Sequence, residues 1–227
     1  GDLVMLGMYG AFWAHALWKL DPFVSIVLWV PLMFVGGMLV YRFLLRAIIP
    51  GGELNTLLYT AGLSLLSANV ALFTWTGDYR TIKLPYAITP LRPFGIAVPI
   101  PLAIAFVLAI LITLALYVFL SRTDPGRAIR ATSQNPEAAA LMGIDVGRIS
   151  MLTFGLGSAL AGAAGVLLAP SLYLYPTVGE ILIAKCFVIV VLGGLGSVPG
   201  AIAGGILLGL VESLGAGVKG INVGSKA

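Results

Sequence analysis

The sequence predicts an all-α polytopic membrane protein, and three observations predict it. The mean hydropathy of the 227 residues is +1.05. Apolar residues make up 59% and charged residues 10%, against about 25% charged in an ordinary soluble domain. The apolar residues also fall into about seven runs separated by polar turns. A chain of this size exposes a large surface, and so few polar groups cannot cover it. A soluble enzyme, a disordered chain and a disulfide scaffold do not fit.

A hydrocarbon core of about 30 Å takes roughly 20 apolar residues per helix. The first run covers about 3–18 and is broken by Lys19-Leu20-Asp21-Pro22. The second covers about 23–45, with Arg42 and Arg46 at its far end and a turn at Pro50-Gly51-Gly52-Glu53. The third runs over about 54–76. A polar stretch, 77–98, holds Asp78, Arg80, Lys83 and Arg92. The fourth run is about 99–120. Segment 121–150 is the longest polar one, with Arg122, Arg127, Arg130 and Arg148. The fifth run is about 151–172, and Tyr173, Tyr175 and Pro176 suit an interfacial exit. Two shorter, glycine-rich runs close the chain, about 181–195 and 200–214, around Gly196-Ser197-Val198-Pro199. Both read as broken or incomplete crossings. The whole of 1–227 reads as a single transmembrane domain, with 121–150 as a loop within it.

Placing 121–150 in the cytoplasm puts Arg42, Arg46, Arg122, Arg127, Arg130 and Arg148 inside and Lys19, Arg80, Lys83 and Arg92 outside. That is the direction the positive-inside bias requires. The net charge of +4 therefore reads as orientation in the bilayer, not as affinity for nucleic acid. The single cysteine, Cys186, and the single histidine, His15, exclude an intramolecular disulfide and His-pair or cysteine metal motifs. No basic segment precedes the first run, so it does not read as a signal peptide. The start at Gly1 reads as lying inside a longer protein.

Membrane helices associate through close packing and polar contacts, because lipid is as apolar as leucine. Gly157, Ala161, Gly165 and Ala169 form one small-residue stripe; Gly196, Gly200 and Gly204 form another, and Ala201, Gly205 and Gly209 a third. They predict tight packing, with a partner subunit across one face as an option. Charge inside apolar runs is costly and tends to be paired or functional. Glu180 and Lys185 read first as a local pair or as interfacial side chains, with Lys185 on a substrate path as the alternative. Thr60, Ser64, Ser67 and Asn69 give the third run a polar strip, read first as helix-to-helix hydrogen bonding and second as a path lining.

Segment 121–150 carries the most information. Asp124-Pro125 is a helix start, with a capping side chain and a proline suited to the first turn. Asn135-Pro136-Glu137 repeats the device and adds a carboxylate near the positive end of the dipole. Ala138 to Met142 favour helix, and Gly143 is a natural stop. A short helix at about 136–142 follows, outside the membrane. A plain connector needs neither two caps nor thirty residues. Docking on a partner and simple connection stand level on these grounds.

Arg127-Ala128-Ile129-Arg130-Ala131, followed by Asn135-Pro136-Glu137-Ala138-Ala139-Ala140-Leu141-Met142-Gly143, resembles the cytoplasmic loop of ABC-importer permeases of the branched-chain amino acid family, which includes urea- and amide-type members. Glu137-Ala138-Ala139 and Gly143 match the Glu-Ala-Ala-x3-Gly core of that loop; its Ile-x-Leu-Pro ending is absent, as in the branched-chain group. Gly1-Asp2-Leu3-Val4-Met5-Leu6-Gly7, Gly162-Ala163-Ala164-Gly165-Val166-Leu167 and Gly193-Gly194-Leu195-Gly196-Ser197-Val198-Pro199-Gly200-Ala201 resemble further family segments. The stretch after about 215 departs from the family's pattern of one more apolar helix.

The resemblance implies a permease subunit of an ATP-driven importer in a bacterial cytoplasmic membrane. Its partners are then ABC ATPase subunits, a second permease subunit and an extracytoplasmic solute-binding protein. ATP binds the ATPase, and this chain holds no cofactor. Arg127, Arg130, Asn135, Pro136, Glu137, Ala138, Ala139 and Gly143 form the coupling loop, with Arg127 and Arg130 serving as ATPase contacts or as positive-inside anchors. The solute is a branched-chain amino acid or a similar small polar molecule.

No phosphate-binding Gly-x4-Gly-Lys-Ser/Thr occurs, and Gly215-x-Gly217-x-x-Gly220 lacks the preceding strand that a dinucleotide site needs. Gly155-Leu156-Gly157-Ser158 and Gly194-Leu195-Gly196-Ser197 resemble serine-hydrolase stretches but lack a histidine base beyond His15. An enzyme is not expected. The alternatives are an ion-gradient-driven secondary transporter, which also uses broken helices, and a purely structural membrane subunit.

Overall fold

All seven apolar runs are helical in the computed structural model, which describes residues 1–224 apart from 83, 85, 87–89, 92–97 and 195. Lys83, Arg92 and Leu195, named above, lie outside the described residues. Helix α1 (Asp2–Trp18) carries Asp2 in its first turn, where a carboxylate meets the positive end of the dipole. It ends on Lys19, at φ 52°. Asp21 then caps α2 (Pro22–Val40) by accepting the Phe23 amide at 2.9 Å, and Pro22 occupies a position whose N–H would have no partner. A π-helical turn, Tyr41–Leu45, leads into α3 (Arg46–Ile48), so that helix runs without a break from 22 to 48. A 3₁₀ turn (Ile49–Gly51) and Gly52 at φ +96° separate it from α4 (Glu53–Trp75). Pro90–Leu91 (β1) and Val98–Pro99 (β2) pair antiparallel ahead of α5 (Ile100–Arg122). Two short helices follow, α6 (Asp124–Gln134) and α7 (Pro136–Leu141). Then come α8 (Val146–Leu168), α9 (Val178–Gly193) and α10 (Val198–Gly224).

Among the described residues, 5 stretches are long and apolar enough to cross a membrane: Pro22–Ile48, Leu54–Trp75, Ile100–Arg122, Val146–Leu168 and Val198–Gly215. Helices α1 and α9, with 17 and 16 residues, are the short ones. Most boundaries fall within four residues of the sequence expectation, and two depart further. The fifth run begins at Val146, not 151, because Asp145 caps it by accepting the Arg148 amide at 3.1 Å. The last run continues past 214 to Gly224, since glycine does not stop a helix unless a left-handed turn is built there.

Two compact units emerge, Gly1–Gly179 and the residues from Glu180 onward. The first is built on the meeting of α1, α2 and α8, and glycine is the means. A Cβ on Gly165 of α8 would fall on the Val4 carbonyl of α1 and 2.9 Å from the Met8 nitrogen. On Gly7 it would fall on the Gly162 carbonyl. Gly155 and Gly162 face Met38 and Met33 of α2, and Gly37 of α2 faces Ser158. Gly10 accepts the Trp29 ring. Backbones thus approach more closely than side chains would allow, which maximises dispersion contacts where no hydrophobic effect acts. Met5, Met8, Tyr9 and Val166 are fully buried there. Ser25 and Ser158, buried and polar, bond the carbonyls of Pro22 and Phe154 in their own helices, at 2.6 and 2.8 Å. Helices α4 and α5 leave apolar faces bare, among them Phe73, Leu57, Phe106 and Leu114, as a surface against lipid or another helix requires.

One end of this unit is closed by loop contacts. Arg80 and Leu174 exchange both backbone hydrogen bonds, at 3.0 and 2.9 Å. The Arg80 guanidinium donates to the Trp75 carbonyl at 2.6 Å and lies over the rings of Phe12 and Trp13. Tyr86 donates to Asp21 at 2.6 Å; burial, then the bond and the charge of Asp21, hold its phenol well above the ordinary range.

In the second unit α9 and α10 form a hairpin. A Cβ on Gly200 would fall on the Gly193 carbonyl, and one on Gly204 would stand 2.8 Å from the Ile189 carbonyl. The turn uses Gly194 at φ +83° and Gly196 at φ +86°, and Ser197 accepts the Gly200 amide at 3.1 Å to start α10. The glycine-rich stretch is therefore a turn between two helices. Lys185 pairs with Glu212 at 2.6 Å, not with Glu180 as the sequence led us to expect.

Candidate functional site

Segment 121–150 folds into a helical bracket. Thr123, one residue before the expected Asp124, supplies the first cap: its Oγ1 accepts the Gly126 amide at 3.2 Å. Asp124 instead sits in the first turn and pairs with Arg127 at 2.7 Å. Gly126 lets α6 press against the end of α5, where a Cβ would meet the Phe119 carbonyl and Leu120. Ile129 is buried on the inner face of α6. The bracket is thus fixed to the membrane helices through apolar contact, with its charges turned outward.

Helix α7 is capped at both ends. Asn135 accepts the Ala138 amide at 3.0 Å through its side chain. At the far end Gly143 takes φ +82°, the Gly143 amide bonds the Ala140 carbonyl at 3.0 Å, and the Ile144 amide bonds the Ala139 carbonyl at 3.1 Å. This paired pattern satisfies carbonyls that would otherwise face water unbonded. A helix of 6 residues has little stability of its own, so both caps count. Ala139 points inward and is buried, while Pro136, Glu137, Ala138 and Ala140 are exposed.

The tip of the bracket is apolar and bare. Leu141 is 89% exposed and Met142 83% exposed, outside every stretch long enough to span a membrane. In the sequence these two counted only as helix formers. Leu141 closes α7 and Met142 is its C-cap residue, and hydropathy alone does not reveal that both stand bare. Arg130 is exposed, and Arg127 is occupied by its local pair with Asp124.

Beneath the bracket lies a cavity of about 560 Å³ between α6, the π-helical turn and α8, lined by Thr132, Pro136, Ser150, Thr153 and Gly157 among others. Thr132 Oγ1 is buried there without a hydrogen-bond partner. Gly157 borders this space, with nothing near where its Cβ would stand, and so takes no part in the α1–α2–α8 contact that Gly165 makes. Gly196 serves the turn; Gly205 and Gly209 also face open space, whereas Gly200 and Gly204 pack against α9.

The other candidates are on other helices. Thr60 donates to the Thr56 carbonyl at 2.9 Å, Ser67 to the Ser64 carbonyl at 2.9 Å, and Asn69 to the Leu65 carbonyl at 2.7 Å. These bonds run back along α4 itself, not to a neighbouring helix. Lys185 is engaged with Glu212 in the second unit.

Comparison with known proteins agrees with this architecture. A family profile described as the permease component of branched-chain amino acid transport systems matches residues 1–226. The high-affinity branched-chain amino acid transport permease BraD of Pseudomonas aeruginosa is 32% identical, over 97% of this chain and 76% of its own length. LivH of Escherichia coli K12, a permease of the same description, is 30% identical over 94% of this chain and 74% of its own. A probable LivH of Methanocaldococcus jannaschii is 30% identical over 94% and 69%. No solved structure matches. With helices able to span a membrane several times and a match along nearly its whole length, the chain belongs to the branched-chain amino acid transport permease family.

Proposed function

We propose that this chain is the transmembrane permease of an ATP-driven importer for branched-chain amino acids or a similar small polar solute, a urea or amide included. The observation that carries the reading is the bare apolar tip, Leu141 and Met142, on a doubly capped helix outside the membrane spans. An apolar pair exposed to water on a rigid mount is a docking feature. Its natural occupant is a groove on an ABC ATPase, which binds and hydrolyses ATP while this chain holds no cofactor and performs no hydrolysis. Because α7 packs on α6 and α8, and α6 in turn packs on α8 and presses on α5, displacement of α7 passes directly to membrane helices. Arg127, Arg130, Asn135, Pro136, Glu137, Ala138, Ala139 and Gly143 shape and flank this contact.

The assembly is a pair of permeases, identical or paralogous, with an ATPase pair on the cytoplasmic side and a solute-binding protein outside. The membrane is the bacterial cytoplasmic one. Purifying the full-length protein in mild detergent and identifying what accompanies it by mass spectrometry tests the reading, with Glu137→Arg as the control. Recovery of an ABC ATPase that the control loses supports it. Transport that persists in vesicles without any ATPase selects an ion-gradient-driven carrier instead.

A further inference from the structure

A polar pocket of about 350 Å³ lies where α2 passes through the π-helical turn toward α3, beside the start of α8. Arg42, Arg46 and Arg148 line it, with Asp145 as the acidic member of the lining. Both Asp145 oxygens are engaged by the same residue: Oδ2 pairs with Arg148 Nε at 2.9 Å and Oδ1 accepts the Arg148 amide at 3.1 Å. Two guanidinium groups, those of Arg42 and Arg46, therefore bring positive charge that the lining does not neutralise. Immediately beside them the helix surface is apolar, with Leu39, Phe43 and Leu44 exposed. The pocket sits at one end of two membrane-spanning stretches, Pro22–Ile48 and Val146–Leu168.

We infer that this pocket holds the phosphate group of an anionic phospholipid, with the acyl chains lying along the exposed face of α2. The chemistry is a phosphodiester anion received by planar, multiply donating guanidinium groups, which suit phosphate oxygens better than ammonium groups do. Basic pockets between helices at the bilayer surface select such headgroups. The π-helical turn has a structural part in this. One additional residue in the turn rephases the helix there, and such turns are frequent at functional sites. The apolar neighbours distinguish a lipid from a free ion, since only the former has a use for Leu39 and Phe43.

The test uses the full-length protein in nanodiscs of phosphatidylcholine with a fixed fraction of phosphatidylglycerol, followed by native mass spectrometry of the lipids that stay bound on release. Retention of phosphatidylglycerol above its mole fraction is expected. The double variant Arg42→Gln, Arg46→Gln is expected to lower that retention by about tenfold or more. Arg122→Gln with Arg130→Gln, the same change in charge elsewhere, is expected to leave it unchanged. Equal retention by wild type and the pocket variant overturns the assignment, as does an equal loss in the charge control. A third arm adds inorganic phosphate at millimolar concentration: displacement of the lipid by it assigns the pocket to a free ion and overturns the lipid reading. The thermal transition of the pocket variant, unchanged from wild type, separates lost binding from lost folding.

Discussion

Truncating the tip of the bracket gives the sharpest test of the coupling role. Leu141 and Met142 are 89% and 83% exposed, so almost all of the free energy available from covering them is still unspent in the isolated chain. Full burial of a Leu or Met side chain contributes about 1.5–3 kcal/mol. Replacing both with alanine therefore removes about 3 kcal/mol of docking free energy, or about a hundredfold in affinity at 1.4 kcal/mol per decade. The chain itself loses almost nothing, because the C-cap bonds of Met142 are made by its backbone amide and exposed side chains change stability by about 0.5 kcal/mol at most. The assay pairs two measurements on Leu141→Ala, Met142→Ala protein reconstituted with its ATPase: ATP-dependent uptake into proteoliposomes, and thermal stability in detergent. The expected pattern is uptake reduced about a hundredfold at limiting ATPase with an unchanged melting temperature. Uptake within about twofold of wild type refutes the reasoning. A fall of many degrees in the melt also refutes it, by showing that the two side chains support the fold.

Gly165→Val should destabilise the protein by about 1–3 kcal/mol, since the added Cβ meets the backbone of α1 and no side chain there can move aside; Gly157→Ala, facing the cavity, should leave the melt unchanged or raise it slightly. Asn135→Ala should cost the start of α7 about 0.5–2 kcal/mol, read as faster amide exchange over 136–144 with the rest of the chain unaffected. Lys185→Met and Glu212→Leu should each destabilise the hairpin more than the two together, because either alone leaves a charge without its partner; a double-mutant cycle should give a coupling of about 1–3 kcal/mol, and additive effects would rule the pairing out.

Hydropathy located the helices because a membrane span must be apolar over its whole length, and interruptions such as Lys19-Leu20-Asp21-Pro22 leave no ambiguity. The cap of α6 was harder to place. Thr123 and Asp124 are both capping residues, and Pro125 is tolerated one or two places after either, so the sequence supports both positions and the backbone chooses one. The small-residue stripe identified Gly165 but included Gly157, since a period of four keeps residues on one face without showing where a neighbour crosses it. The contacts with α2 fall on Gly155, Ser158 and Gly162, a three-then-four spacing beside that stripe. The Lys185–Glu212 pair depends on hairpin register. Gly193 meets Gly200 and Gly204 meets the Ile189 carbonyl, and continuing that register brings Lys185 level with Leu208, one turn from Glu212. Only long side chains close that gap, and no sequence pattern states the register. Leu141 and Met142 were invisible as a site because an exposed leucine and a buried one read alike.

The contact between α1 and α8 has a mechanical meaning. Where carbonyl meets glycine Cα there are no rotamers to exchange, so the joint cannot absorb displacement by rearranging side chains as an ordinary core does. It holds its register or comes apart. A push that reaches α8 therefore carries α1 with it, as two welded rods, and the give has to come from joints that hold side chains, those of α2 with Met33, Met38 and Trp29 among them. Stiffness here is obtained by leaving atoms out.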